Sequence, residues 1–459
     1  MKALRLRNAA VITVAALSAL FGTILVEAIA VITGGVDAAG MNTGAVSVLL
    51  TALSMVFFGI ALYVGAIVTA NVLSTVLAGR TREIALLRLV GATGGALRRR
   101  VVASGFWQGV FGSVIGCVIA VVLTWGALEL AFAVGWMDRL EVTLVGPVLV
   151  APLLGVVVST TLASIVGSRP VLGVSPMQAT GSMVESSWTE RGKVLRFVMF
   201  LVLFVLGAAF FAFGVLLGQE SAFGVVSAFV GGVVSSAGVI VGAPVIIPPV
   251  LLLFGRAFGR GPVARLASKN AVRHPVRASR ATIGLGIGVT LVAMFATVLE
   301  QFRALGALLD EAISAEELNQ LINAITVILV VLVGFSALLA AVGMVSTLLQ
   351  SVLQRKRELG LLRTLGFTAA QVRWMIAAEA AQIVATATII GLVLGSLYGW
   401  AGSQSAFGSI TGGLLPYTAP VPALIGVVLA AMAIALVSSL VAARAATRAT
   451  PIEALTALT

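Results

Sequence analysis

From Val46 to Gly79 the chain runs for thirty-four residues without one charged side chain, and from Leu321 to Gln354 it does so again. A helix of that length measures roughly 50 Å, against about 30 Å for the hydrocarbon core of a bilayer. Each run therefore predicts a membrane-crossing helix that tilts or projects beyond the lipid. The two runs lie 275 positions apart, and the same offset takes Arg80 to Arg355, Gly116 to Gly391, Arg169 to Arg444 and Ser175-Pro176 to Thr450-Pro451. Directly after each run comes a near copy of one motif, Arg82 to Thr93 (REIALLRLVGAT) and Arg357 to Thr368 (RELGLLRTLGFT). A constant offset over so long a stretch is the mark of a duplicated unit, and it constrains the fold before any local reading begins.

Composition agrees with a membrane solvent. Of 459 residues 60% are hydrophobic and only 10% charged, with a mean hydropathy of +1.14, whereas soluble domains carry about a quarter charged residues. The net charge of +12 does not point to nucleic acid, because the basic residues fall between apolar spans with no interleaved aromatics. Four lysines against many arginines, with abundant Ala, Val and Gly, suggest a GC-rich bacterial genome. The lone Cys117 sits in an apolar run and has no intrachain partner for a disulfide.

The pattern predicts an all-α integral membrane protein with about ten transmembrane helices, arranged as two four-span units joined by a two-span hairpin: residues 1–185, 186–262 and 263–459. Predicted spans of the first unit are Ala9–Val31, Val46–Gly79, Val101–Leu123 and Leu144–Val166. The hairpin takes Phe197–Leu217 and Phe223–Phe254; Pro244, Pro248 and Pro249 predict a kink or break in the latter. The second unit takes Ala281–Leu299, Leu321–Leu349, Trp374–Tyr398 and Val421–Val441. Of the basic residues only Arg139 and Arg303 fall in predicted outer loops, the former beside Glu129, Asp138 and Glu141, so both termini are expected in the cytoplasm. The outer loops Thr33–Gly44 and Phe302–Gln320 are too short to fold as domains.

Within the motif Ile84, Leu87 and Val90, like Leu359, Leu362 and Leu365, recur every three residues. They predict a short amphipathic helix with an apolar stripe, from which Arg88 and Arg363 project elsewhere. Gly91 and Gly366 suit a helix C-terminus, and Thr368 with Gln371 fits a capping box for the next helix; Thr93 has no such partner. Glu83 and Glu358 admit two accounts, a preference of acids for a helix N-terminus or a contact with another protein. Glu27 and Glu300 occupy nearly matching places near the outer ends of the first spans, either in hydrogen bonds at the membrane interface or facing a cavity between the units.

Taken together, the motif Arg-Glu-[Ile/Leu]-x-Leu-Leu-Arg-x-x-Gly-x-Thr after a long second span, and a Pro-containing tail closing each unit, resembles the FtsX-like permease domain of MacB-type (type VII) ABC transporters. The resemblance covers both units and leaves the hairpin outside. It implies that Arg82, Glu83, Arg88, Gly91, Arg357, Glu358, Arg363 and Gly366 belong to coupling helices docked on an ATPase subunit, and that Pro176, Pro451 and Glu453 in the tails touch it too. It also implies a partner ATPase, in two copies, that carries the ATP and Mg. Unlike many members, this chain has no large extracytoplasmic domain, so no large partner outside the membrane is expected.

The chain has no phosphate loop, since its Gly192-Lys193 is followed by Val194, and one His with one Cys cannot build a catalytic set or a metal site. The expectation is therefore a permease subunit without enzyme activity or cofactor of its own, in a bacterial plasma membrane. It would move a lipid, hydrophobic peptide or drug-like amphiphile. The alternative is a non-transporting FtsX-like regulator that relays ATPase motion to a cell-wall hydrolase.

Overall fold

Apolar runs flanked by polar turns become helices here because lipid offers backbone groups no hydrogen-bond partner, so each segment must satisfy its own. The computed structural model describes residues 9–38, 44–134, 146, 149–174, 190–221, 223–257, 275–309 and 366–448, with single positions 326, 334 and 338. In chain order the helices are α1 (Ala9–Ala38), α2 (Gly44–Gly79), α3 (Thr81–Leu89), α4 (Gly94–Val134), α5 (Val150–Gly167) and α6 (Arg169–Gly173). There follow α7 (Glu190–Gly218), α8 (Gly224–Ala257), α9 (Pro275–Leu309), α10 (Ala369–Thr411) and α11 (Val421–Arg448). Eight helices among the described residues are long and apolar enough to cross a membrane, and α11 contains a shorter apolar stretch, Val421–Ala433. The predicted span Leu321–Leu349 lies almost wholly outside the described residues.

The repeat is visible in three dimensions. Helices α4 and α10 start 275 positions apart, at Gly94 and Ala369, and run for 41 and 43 residues. Helix α1 lies along α4 as α9 lies along α10, while α5 packs on α4 as α11 packs on α10. Small residues allow these close approaches. A Cβ on Gly112 would sit 2.6 Å from the Ala15 Cβ, and one on Gly395 would sit 2.7 Å from the Ala293 Cβ. Helices α7 and α8 pack through glycines too, Gly207 and Gly214 of α7 facing Gly231 and Gly224 of α8.

The units are joined through a shared core. Val14, Phe21 and Leu25 of α1 and Val64 and Val68 of α2 bury against Leu291 and Phe295 of α9, with Phe57 edge-on to Phe295 at 5.9 Å. Helix α8 wedges between α2 on one side and α9 and α10 on the other, and α7 closes over α8 and α10.

Several expected boundaries are corrected. Residues Thr33–Ala38 belong to α1, Glu129 to α4 and Arg303 to α9 rather than to outer loops. None of these stretches carries a proline to stop the helix, and one isolated charge does not end a helix that has outrun the lipid. Helix α8 continues through Pro244, Pro248 and Pro249 without a break. The Ser279 hydroxyl of α9 donates to the Ala243 carbonyl beside the first proline at 3.1 Å.

Candidate functional site

Two places carry the expected chemistry. The first is the surface around α3. Ile84 and Ala85 are buried with Leu73 and Leu77 of α2, Leu97 and Val101 of α4, and Val171 of α6, and Leu87 packs against them. The helix ends in a Schellman motif: Gly91, at φ +99°, donates to Arg88 O at 3.1 Å and Ala92 donates to Leu87 O at 3.0 Å. Gly366 has the matching φ of +96°. Val90, expected in the buried stripe, is instead 88% exposed at the C-cap, where the chain has already left the helical period. Arg88 does not project to solvent; its guanidinium donates to the carbonyls of Leu172, at 3.5 Å, and Val174. It therefore ties α3 to α6. What faces outward is Glu83 with Leu86, Leu89 and Val90. That second apolar edge was legible as Leu86 and Leu89 three apart, hidden behind the stronger stripe.

The next helices begin as their sequences require. Thr368 and Gln371 form the reciprocal capping box, at 2.9 and 3.2 Å, whereas Thr93 only accepts from the Ala96 amide at 3.2 Å. The Arg82 side chain, together with Arg357, Glu358, Arg363, Pro176, Pro451 and Glu453, lies outside the described residues.

The second place is a cavity of about 540 Å³ enclosed by α2, α7, α8, α9 and α10. Isoleucines, valines and phenylalanines make up most of its lining, Phe57, Phe204, Phe229 and Phe407 among them, and among the described residues no charged side chain lines it. Its size falls within the roughly 300–1,000 Å³ of small-molecule sites. Ile389 and Val393 of α10 line it and are also 45% and 56% exposed. Two tyrosines bolt α8 to both units: Tyr63 of α2 meets Ser236 at 2.8 Å, and Tyr398 of α10 meets Ser235 at 2.8 Å while stacking on Phe211 of α7 at 5.2 Å. Sequence reasoning treated the α7–α8 pair as a connector and missed this wall. The available signals were aromatics at Phe197, Phe200 and Phe204 and the serine pair in an apolar span.

Neither candidate acid lines the cavity. Glu27 is 4% exposed, with no hydrogen-bond partner for either carboxyl oxygen, although Thr124 of α4 lies beside it. Glu300 lies 3.9 Å from Arg303 one turn along α9. Part of the reason is that α1 turns its Glu27 face toward α4 and away from α8.

No curated protein matches the chain. The family model described as FtsX-like permease C-terminal matches twice, over residues 55–176 and 330–451. These bounds reproduce the 275-residue offset and take in more than half of the chain, each match running from the second span through the motif to the Pro-containing tail. The duplicated unit is thus this domain in two copies, and the chain belongs to the FtsX-like permease family.

Proposed function

We propose that this chain is the membrane permease subunit of a MacB-type ABC transporter that exports or extracts a lipid, hydrophobic peptide or drug-like amphiphile taken from the bilayer. Permeases of this family generally work with an ABC ATPase. The partner carries the ATP and Mg, and two copies dock, one at each motif, in the bacterial plasma membrane with both termini of the permease in the cytoplasm. The observation that carries this reading is the chamber of about 540 Å³ walled by α2, α7, α8, α9 and α10, lined chiefly by apolar side chains. Such a place suits a molecule that arrives through lipid, and a regulator that only relayed force would need none.

Gly232 offers a clean test. It lines the cavity, and an added Cβ would meet nothing closer than Phe211 at 3.5 Å. Gly232→Leu should fill part of the chamber, with Phe211 the first side chain that it meets. With the co-encoded ATPase in liposomes, it is expected to reduce amphiphile transport by tenfold or more while the ATPase stays bound. Full transport by this variant would remove the cavity from the route.

A further inference from the structure

Between α10 and α11 the chain crosses from Gly412 to Pro420 without regular structure. Leu415 of this segment is buried with Ala52 and Val56 of α2, Val225 of α8, Leu305 of α9 and Phe407 of α10. Val56, Val225 and Phe407 also line the cavity, so the segment sits at one of its ends. That end is the one away from α3, because Ala52 lies roughly 40 Å of helix before Gly79, where α2 stops. Leu415 is 6% exposed, whereas its neighbour Leu414 is 62% exposed and Pro416 and Tyr417 are exposed as well. A single side chain plugs in while the residues around it lie over the surface.

The way the segment is held differs from the helices beside it. Gln404 of α10 grips Leu415 twice: its amide donates to the Leu415 carbonyl at 2.7 Å, and its oxygen accepts from the Leu415 N–H at 3.0 Å. The Trp400 indole donates to the same carbonyl at 3.3 Å, and the Gln301 amide of α9 donates to the Pro416 carbonyl at 3.2 Å. Among the described residues, the backbone from Leu414 to Thr418 makes no bond to another backbone group. Four side-chain bonds and one apolar plug therefore fasten it, and all of them can part without unwinding α10 or α11. A swivel is present at the near end. Gly412 caps α10 at φ +62°, and neither it nor Gly413 has an atom within 4 Å of an added Cβ.

We propose that residues 412–420 form a strap that closes the end of the cavity away from α3, with Leu415 as its plug and Gln404 as its clasp, and that it lifts to let an apolar occupant leave. The proposal rests on the cavity being a ligand site, as proposed above. It adds the place where the occupant exits and the side chains that hold that exit shut.

The test uses the full chain with its co-encoded ATPase in nanodiscs, in a Cys117→Ala background, and compares how fast Leu415→Cys and Leu414→Cys react with a water-soluble maleimide. At rest Leu415→Cys is expected to react at least about tenfold more slowly, since only that position is buried. ATP should raise its rate about fivefold or more and leave Leu414→Cys unchanged. Adding Gln404→Ala should raise it by a similar factor without ATP, as the loss of a hydrogen bond made only in the closed state implies. Should Gln404→Ala fail to fold, Trp400→Phe removes one donor to the same carbonyl and should act in the same direction. A sixteen-carbon alcohol carrying a diazirine reports on the cavity separately, by saturable photolabelling of α2, α8 and α10 peptides. If that labelling is saturable but ATP leaves the Leu415→Cys rate unchanged, the strap is a fixed wall and the cavity stands as a ligand site. If ATP acts but neither clasp variant does, Gln404 is not the clasp. No saturable photolabelling would overturn both readings.

Discussion

Arg88 and Glu83 sit one turn and a half apart on α3 and face opposite fates. Arg88 donates to two carbonyls of the α6 region, one exposed and one partly buried, so Arg88→Ala should cost about 0.5–1.5 kcal/mol; the check is thermal unfolding of the detergent-solubilised chain. Glu83 is exposed beside Leu86, Leu89 and Val90, so Glu83→Lys should leave unfolding unchanged and weaken ATPase binding by tenfold or more, measured by co-purification. If the two variants exchange these phenotypes, the assignment of latch and docking face is reversed. Glu27 supplies another contrast. Its carboxyl is buried beside Thr124 with neither oxygen hydrogen-bonded, and burying a polar group in that way is costly. Glu27→Leu is therefore expected to keep or raise the unfolding temperature, and a clear fall would show that the group is paired when the chain sits in lipid. Both glutamates were easy to pick out of the sequence, because charge is rare there. Their surroundings were not, since which face of α1 meets α4 depends on where Gly112 and Gly116 let the two helices touch.

At the scale of elements, the long helices are held by glycine rather than by bulk. Gly391, Gly395 and Gly399 form a seam on α10 against α9, and a side chain at Gly395 would strike Ala293 and the Thr290 carbonyl. Gly395→Leu should therefore part the helices and destabilise by about 1–3 kcal/mol or more. In contrast Gly426 of α11 has nothing within 4 Å of an added Cβ, and Gly426→Ala should be neutral or slightly stabilising. Unfolding curves of both variants in the same detergent decide it; equal behaviour would mean the seam is not under steric control. The existence of these helices and the caps at Gly91, Gly366 and Thr368 were readable, because a cap is local chemistry within five residues. Their ends were not. Helices α4 and α10 outrun their predicted spans at both ends because hydropathy registers where lipid stops, whereas a helix stops where its backbone bonding does.

For the whole molecule, the predicted topology is testable in a Cys117→Ala background, with single cysteines at positions 308 and 98. Position 308, at the end of α9, should label from outside, and position 98, at the start of α4, only from inside; the reverse at either site would invert the fold in the membrane. The tandem plan was legible because duplication leaves an offset that survives divergence. What the sequence hid was the work of α7 and α8, which have no repeat partner to be compared with. They cover Ile390 and Leu394 of α10, whereas the equivalent side chains of α4, Ile115 and Ile119, stay exposed. A duplicated permease starts with two equivalent flanks, and any molecule dissolved in the surrounding lipid meets both. By covering only one of them, α7 and α8 leave the described repeats unequal: one flank becomes the wall of a chamber and the other stays bare.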